Sequence, residues 1–102
     1  MNKNYYLKLT KNQNNALEGL YNFQVKNHWK NYKIEDLYIY MTSIESYIKE
    51  DWFNITFNSL LEIGLIEKIE YKETQKGGKS YMYDFTDRGL LYMGIGEDDI
   101  IY

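Results

Sequence analysis

A chain of 102 residues with a net charge of −3 has room for one domain with a modest core. Its 44% hydrophobic and 26% charged content suits a folded globular chain rather than a disordered one. The lack of cysteine excludes disulfides, thiolate metal sites and cysteine nucleophiles. The start, Met1-Asn2-Lys3-Asn4-Tyr5, lacks the apolar core of a signal peptide. No apolar run reaches membrane-spanning length, so the expectation is a cytoplasmic protein with no membrane partner. Proline is absent and arginine occurs once, whereas tyrosine occurs 12 times among many Asn, Lys and Ile. Those favoured residues share AT-rich codons, so the skew reports a low-GC genome and weakens the aromatic fraction as a nucleic-acid signal.

Tyr5-Tyr6-Leu7-Lys8-Leu9 alternates as a short strand or packed arm would. Thr10-x-x-Gln13 has the form of a capping box. It opens a first helix that runs to about Asn27, with Ala16, Leu17, Leu20, Phe23 and Gln24 on the buried side. Gly19 within it costs about 1 kcal/mol relative to Ala and permits a close helix crossing. The acid-free segment Val25–Lys33 reads as a loop with one or two strand residues near Tyr32. A second helix begins at Ile34, with Glu35 and Asp36 at its positive end. Its inner face comprises Leu37, Ile39 or Tyr40, Met41 and Ile44, and an end near Thr42-Ser43 or at Ile48 is equally compatible with the pattern.

A third helix is expected near Asp51, whose carboxylate can cap it. Phe53, Phe57, Leu60 and Leu61 form its inner stripe with Trp52 on the flank, and Asn54, Asn58 and Glu62 lie opposite. Gly64 suits the left-handed position past a helix end. Two alternating runs follow, Lys68–Glu73 and Ser80–Phe85, which read as a hairpin. Placing Ile69 and Tyr71 on one face with Tyr83 and Phe85 pairs Ile69 with Phe85 and Tyr71 with Tyr83. That register puts Gln75 opposite Lys79 and leaves Lys76-Gly77-Gly78 as a three-residue loop, with Lys68, Lys72, Thr74, Ser80 and Met82 facing outward. Thr86 can cap a last short helix to about Met93. There is no internal repeat, low-complexity tract or linker.

No enzyme is legible. His28 has no partner constellation, and a ring packed beside Trp29 or left exposed is the simpler reading. Adjacent carboxylates such as Glu35-Asp36 and Glu50-Asp51 read as helix caps and dipole partners rather than Mg²⁺ ligands. Lys76-Gly77-Gly78-Lys79 lacks the spacing of a P-loop, and no helix follows it. No cofactor or metal is expected.

The charge distribution is more informative than its sum. Residues 35–67 hold seven acids and one lysine, whereas residues 68–79 hold four lysines against Glu70 and Glu73. Lys26, Lys30 and Lys33 make a second basic cluster, and Lys3, Lys8 and Lys11 a third. Lysines on exposed turns also keep an edge soluble. A turn in which Lys72, Gln75, Lys76 and Lys79 surround Gly77 and Gly78 is also suited to a phosphate backbone: glycine permits close approach, Lys supplies charge and Gln can read a base edge.

Helix, glycine, strand, Gly-rich basic turn, strand is the layout of a winged helix. The run Leu60-Leu61-Glu62-Ile63-Gly64-Leu65-Ile66-Glu67-Lys68, followed by Tyr83-Asp84-Phe85-Thr86-Asp87-Arg88-Gly89, resembles the winged helix-turn-helix family of bacterial and plasmid DNA-binding proteins. In that family an LxxLGLIEK helix end leads into the wing, and a Y-x-L-T-x-x-G strand end opens the C-terminal helix; Phe85 here replaces the usual Leu. Length and composition also resemble the small origin-of-transfer-binding proteins of clostridial conjugative plasmids.

The resemblance implies an α+β winged helix-turn-helix domain over residues 1–102, with a three-helix core, a β-hairpin wing and a short C-terminal helix. It implies a sequence-specific double-stranded DNA-binding protein of a mobile element, either a conjugation (relaxosome) accessory factor or a transcription regulator. Family members begin the recognition helix with Ser, Thr, Arg or Lys, whereas this one begins Glu50-Asp51-Trp52. The main contact is therefore expected from the wing, with Lys30 and Lys33 on phosphates and Asn54 and Asn58 able to meet adenine edges. One small acidic domain offers few contacts, so a homodimer on repeated half-sites is expected, and other plasmid-transfer proteins are candidate partners. The rival expectation is a protein-binding winged helix whose acidic third helix docks a basic partner; DNA mimicry by the acidic face is a third.

Overall fold

In the computed structural model, residues 8–73 and 77–96 are described. They form an α+β fold in the order α1 (Lys11–Lys26), α2 (Ile34–Ile39, continued by a π-helical turn over Tyr40–Ile44), α3 (Glu50–Glu62), β1 (Ile66–Lys72), β2 (Lys79–Phe85) and α4 (Asp87–Met93). Residues 5–7 of the expected Tyr5–Leu9 arm, the turn residues Thr74, Gln75 and Lys76, and the acidic-apolar end Glu97–Tyr102 lie outside the described residues; Lys8 and Leu9 are described and form no strand.

The capping box at the start of α1 is present: Thr10 Oγ1 accepts from Gln13 N–H at 3.1 Å, and Gln13 Oε1 accepts from Thr10 N–H at 2.9 Å. Gln13 also donates through Nε2 to Ser59 Oγ at 3.0 Å, tying this helix start to α3. Ala16, Leu17, Leu20 and Gln24 are buried along one stripe, and Phe23 sets its ring edge against Tyr32 at 4.8 Å. Gly19 does mark a close crossing. A Cβ there would stand 2.2 Å from Met41 Sδ and 3.0 Å from the Tyr47 ring.

After α1 the chain reverses through His28 and Trp29, whose φ values of 55° and 57° are left-handed, a conformation costly for non-glycine residues. Trp29 N–H donates to Gln24 O at 2.8 Å, and its ring packs against Tyr21 and Phe85, which holds the turn. The short strand expected near Tyr32 does not form. Instead the Tyr32 hydroxyl donates to Tyr83 O and accepts from Tyr83 N–H at 3.1 Å. One side chain thus closes the β2 edge that a third strand would have covered, and among the described residues the sheet has two strands.

The second helix widens from Tyr40 onward, with Glu45 N–H reaching back five residues to Tyr40 O at 3.0 Å. Thr42 Oγ1 donates to Tyr38 O at 2.7 Å, and such back-bonding loosens the regular ladder. The extra residue rotates the face, so Tyr40 and Met41 are buried while Ile39 and Ile44 are exposed. This corrects the 3.6-residue reading, which places Ile44 inside.

Helix α3 starts one residue earlier than expected. Lys49 occupies the cap position without a side-chain bond, and Asp51 lies in the first turn with Glu50. There it still suits the positive helix end, but it does not cap. Phe53, Phe57 and Leu60 are buried, and Phe57 stacks on Tyr83 at 4.9 Å. Gly64 takes φ 78° past the helix end, as expected.

The hairpin register differs from the sequence reading by three residues. Ile66 pairs with Phe85, Ile69 with Met82 and Lys72 with Lys79, and Glu73 N–H donates to Gly78 O at 2.8 Å. Lys72, rather than Gln75, is therefore the partner of Lys79. The reason lies in burial. Met82 and Tyr83 are adjacent and both buried, so the ribbon is covered on both faces near its base. A period-two argument assumes one wet face, and that assumption fails here. Gly77 does take the left-handed conformation, with φ 67°.

The end of β2 locks onto the α3–β1 junction. Thr86 caps α4 by accepting from Gly89 N–H at 3.0 Å, and its hydroxyl donates to Gly64 O at 2.6 Å. Thr86 N–H donates to Leu65 O at 3.2 Å, and Arg88 Nη1 donates to Ile63 O at 2.9 Å. Gly89 is pressed against the same junction: a Cβ would fall 1.9 Å from Leu65 O. Among the described residues, no helix is long and apolar enough to cross a membrane.

Candidate nucleic-acid interface

Where the start of α2, the exposed side of α3 and the hairpin meet, they leave a groove of about 460 Å³. Lys33, Asn54, Lys68, Glu73, Lys79 and Tyr81 line it. The β1–β2 register explains the convergence. Lys68, Glu70 and Lys72 alternate along β1 and oppose Tyr83, Tyr81 and Lys79, and cross-strand partners share a face. Cation and hydroxyl groups from both strands therefore stand together beside Asn54.

Among the described residues, three carboxylates stand in or beside the groove: Glu35 lines it at the start of α2, and Glu73 and Glu70 are engaged by neighbouring cations and hydroxyls. Glu73 accepts from the Ser80 hydroxyl and pairs through Oε1 with Lys33 Nζ at 3.2 Å. Its carboxylate, bonded to the Lys33 ammonium, holds that lysine above the usual lysine range. Glu70 accepts from the Tyr81 hydroxyl at 3.1 Å and pairs with Lys79 Nζ at 3.7 Å, and its bond raises the Tyr81 phenol above the usual range. Lys68 Nζ lies over the Tyr81 ring, 5.2 Å from its centroid. The Lys79–Glu70 pair is solvent-exposed and thus weak, whereas Glu73 of the other pair is only 22% exposed.

Behind the groove, the polar support is buried. Burial drives the Tyr32 phenol far above the usual tyrosine range, which keeps it a neutral donor to Tyr83 O. Gln24 donates to Asp84 Oδ1 at 3.1 Å. Desolvation raises the Asp84 carboxyl, opposed by the bond it accepts from Phe85 N–H.

The structure brings together Lys33, Asn54 and Lys79 of the expected contact residues. Lys72 is exposed opposite Lys79, and Gly77 and Gly78 are exposed with open space around both. Asn58 is exposed on α3 but does not line the groove, and Lys30 is exposed on the loop before α2. Gln75 and Lys76 lie outside the described residues. Sequence reasoning missed Lys68 and Tyr81 as groove residues and gave no role to Glu70 and Glu73; the i, i+2 spacing of Lys68, Glu70 and Lys72 was the available signal. Among the described residues, no cluster of three His, Cys, Asp or Glu side chains could hold a metal ion.

The exposed side of α3 carries Glu50, Asp51 and Glu62, with Trp52 at 48% and Ile55 at 60% exposure. It has no lysine or arginine. No family model matches the chain, nor does any curated protein or solved structure.

Proposed function

We propose that the chain is a winged helix-turn-helix protein that binds double-stranded DNA through its hairpin and the groove behind it. The observation that carries this reading is the convergence of Lys33, Lys68 and Lys79 with Asn54 in one groove beside the glycine turn. In this reading lysines there neutralise phosphates, exposed glycines let the backbone come close, and the Asn54 amide, which lines the groove, meets a base edge. The order of helices, the glycine junction at Gly64 and the Thr86–Gly89 cap support the winged-helix reading. The acidic α3 argues that the hairpin, including Lys72, Lys76 and Gln75, dominates contact. A second copy docked through α4, where Leu91 is 70% exposed, would double the few contacts one domain offers. A conjugation accessory factor and a transcription regulator of a mobile element share this biochemistry.

The test is fluorescence anisotropy with random and AT-rich duplexes at two salt concentrations, using wild type and a Lys33→Ala/Lys79→Ala variant. Binding that weakens with salt, with a smaller slope in the variant, supports the reading. No binding at low salt refutes it.

A second reading has its own observation. Trp52 and Ile55 stand exposed among carboxylates on α3, which suits a basic amphipathic protein partner rather than a phosphate backbone. Trp52→Ala/Ile55→Ser would abolish that association and leave duplex binding intact.

A further inference from the structure

We infer that the groove and the adjoining face of the hairpin carry two preformed phosphate positions, each filled in the free protein by one of its own carboxylates. This rests on the DNA reading and extends it to Ser80, Tyr81, Glu70 and Glu73. At the first position, Lys33 and the Ser80 hydroxyl converge on Glu73; at the second, Lys79 and the Tyr81 hydroxyl converge on Glu70. A cation and a hydroxyl donor aimed at one oxyanion is the arrangement that also stabilises a phosphate oxygen. Glu70 and Glu73 stand in for that oxyanion.

Ser80 and Tyr81 are neighbours in β2, so their side chains leave the strand on opposite sides. The two positions therefore straddle β2, which becomes a rail between two phosphates of a duplex backbone. Lys68 over the Tyr81 ring adds charge beside the second position. Entry requires exchange: each arriving phosphate displaces a carboxylate, which swings into solvent. The Lys79–Glu70 pair is exposed, so exchange there is cheap and lowers affinity by only about two- to fivefold; Glu73 is 22% exposed, so its displacement costs more. The carboxylates thus restrain attachment to arbitrary DNA without blocking it.

The experiment is anisotropy of a random duplex at low salt with wild type, Glu70→Gln, Glu73→Gln and Glu18→Gln. Glutamine keeps an acceptor for Ser80 and Tyr81, and thermal melting checks that the hairpin is intact. Glu18 lies on the exposed side of α1 and controls for net charge alone. Tightening of about two- to fivefold in Glu70→Gln and of at least as much in Glu73→Gln, with a smaller change in Glu18→Gln, is expected. Equal effects in all three variants, or none, overturn the inference while leaving duplex binding established. Absence of duplex binding by all four proteins refutes the DNA reading itself. Inorganic phosphate, at ionic strength matched to chloride, should release the duplex no better than chloride; markedly stronger release would mean a site for free phosphate and would also overturn the inference.

Discussion

Adding one methyl group at Gly89 isolates the junction on which the hairpin and α4 are mounted. Alanine favours a helix over glycine by about 1 kcal/mol, so propensity alone predicts that Gly89→Ala stabilises α4. The structure predicts the reverse. The new Cβ would lie 1.9 Å from Leu65 O, 2.9 Å from Leu65 C and 3.3 Å from Phe85 Cδ1. Two of these are backbone atoms, fixed by the left-handed Gly64 and by the Thr86 N–H donation to Leu65 O. Relief requires α4 to lift from the α3–β1 junction. Overpacking of this kind costs about 1–3 kcal/mol, and stretching the Thr86–Leu65 bond adds about 1 kcal/mol. After the propensity gain, a net loss of about 1–3 kcal/mol remains, or roughly 5–20 °C in Tm for a domain of this size. Thermal melting followed by circular dichroism measures it, with Gly78→Ala as control because nothing lies within 4 Å of a Cβ there. If Gly89→Ala melts at or above the wild type, the close packing of α4 on Leu65 is wrong.

Other predictions follow from the buried polar groups and the helix starts. Tyr32→Phe leaves Tyr83 N–H and C=O without the hydroxyl that serves both, and should cost about 1–3 kcal/mol in denaturant unfolding. Burial raises the Tyr32 phenol, and burial followed by the neighbouring Tyr47 raises Tyr40 to about 12. Both folded-state values exceed the unfolded value, so the native state retains these protons longer. Their contribution is complete below about pH 10 and is lost progressively above it, with the Tyr40 part falling away between 10 and 12; urea midpoints across that range check the sign, and the loss should be smaller in Tyr32→Phe. Thr10→Ala removes the cap of α1 and should cost about 1 kcal/mol, read by the same unfolding assay. In duplex binding, Lys33→Ala and Lys68→Ala should each reduce the salt slope by about 0.9 without altering the melting temperature by more than a few degrees.

The parts of the fold legible in the sequence are those written in contiguous residues. Thr10 and Gln13 lie three apart and announce a helix start; Gly64 announces an end; Thr86 and Gly89 announce another start. The stripes of α1 and α3 follow from regular spacing. What escaped depends on partners distant in the chain. The register of β1 on β2 is set by burial of both Met82 and Tyr83, which no local alternation reveals. Tyr32 replaces a strand because Tyr83 happens to present two backbone groups to it, 51 positions away. The π-helical turn at Tyr40–Ile44 has only Thr42 as a local hint. For the candidate interface, the lysines were visible as a charge cluster. Their pairing with Glu70 and Glu73 was not, because it needs the register and the placement of Lys33 beside the hairpin.

The Tyr32 hydroxyl carries a consequence for how such a chain can vary. A strand added to a sheet must keep its length and register, since each residue is tied to a neighbour. A segment that meets the sheet edge through one side chain, with Trp29 holding its start, is freer: residues can be inserted between Lys30 and Tyr32 provided the ring still reaches Tyr83. The segment joining α1 to α2 can thus change length and reposition Lys30 relative to Lys33 while the core stays intact. Divergence in the spacing of those two cations is the kind of change this architecture tolerates most easily.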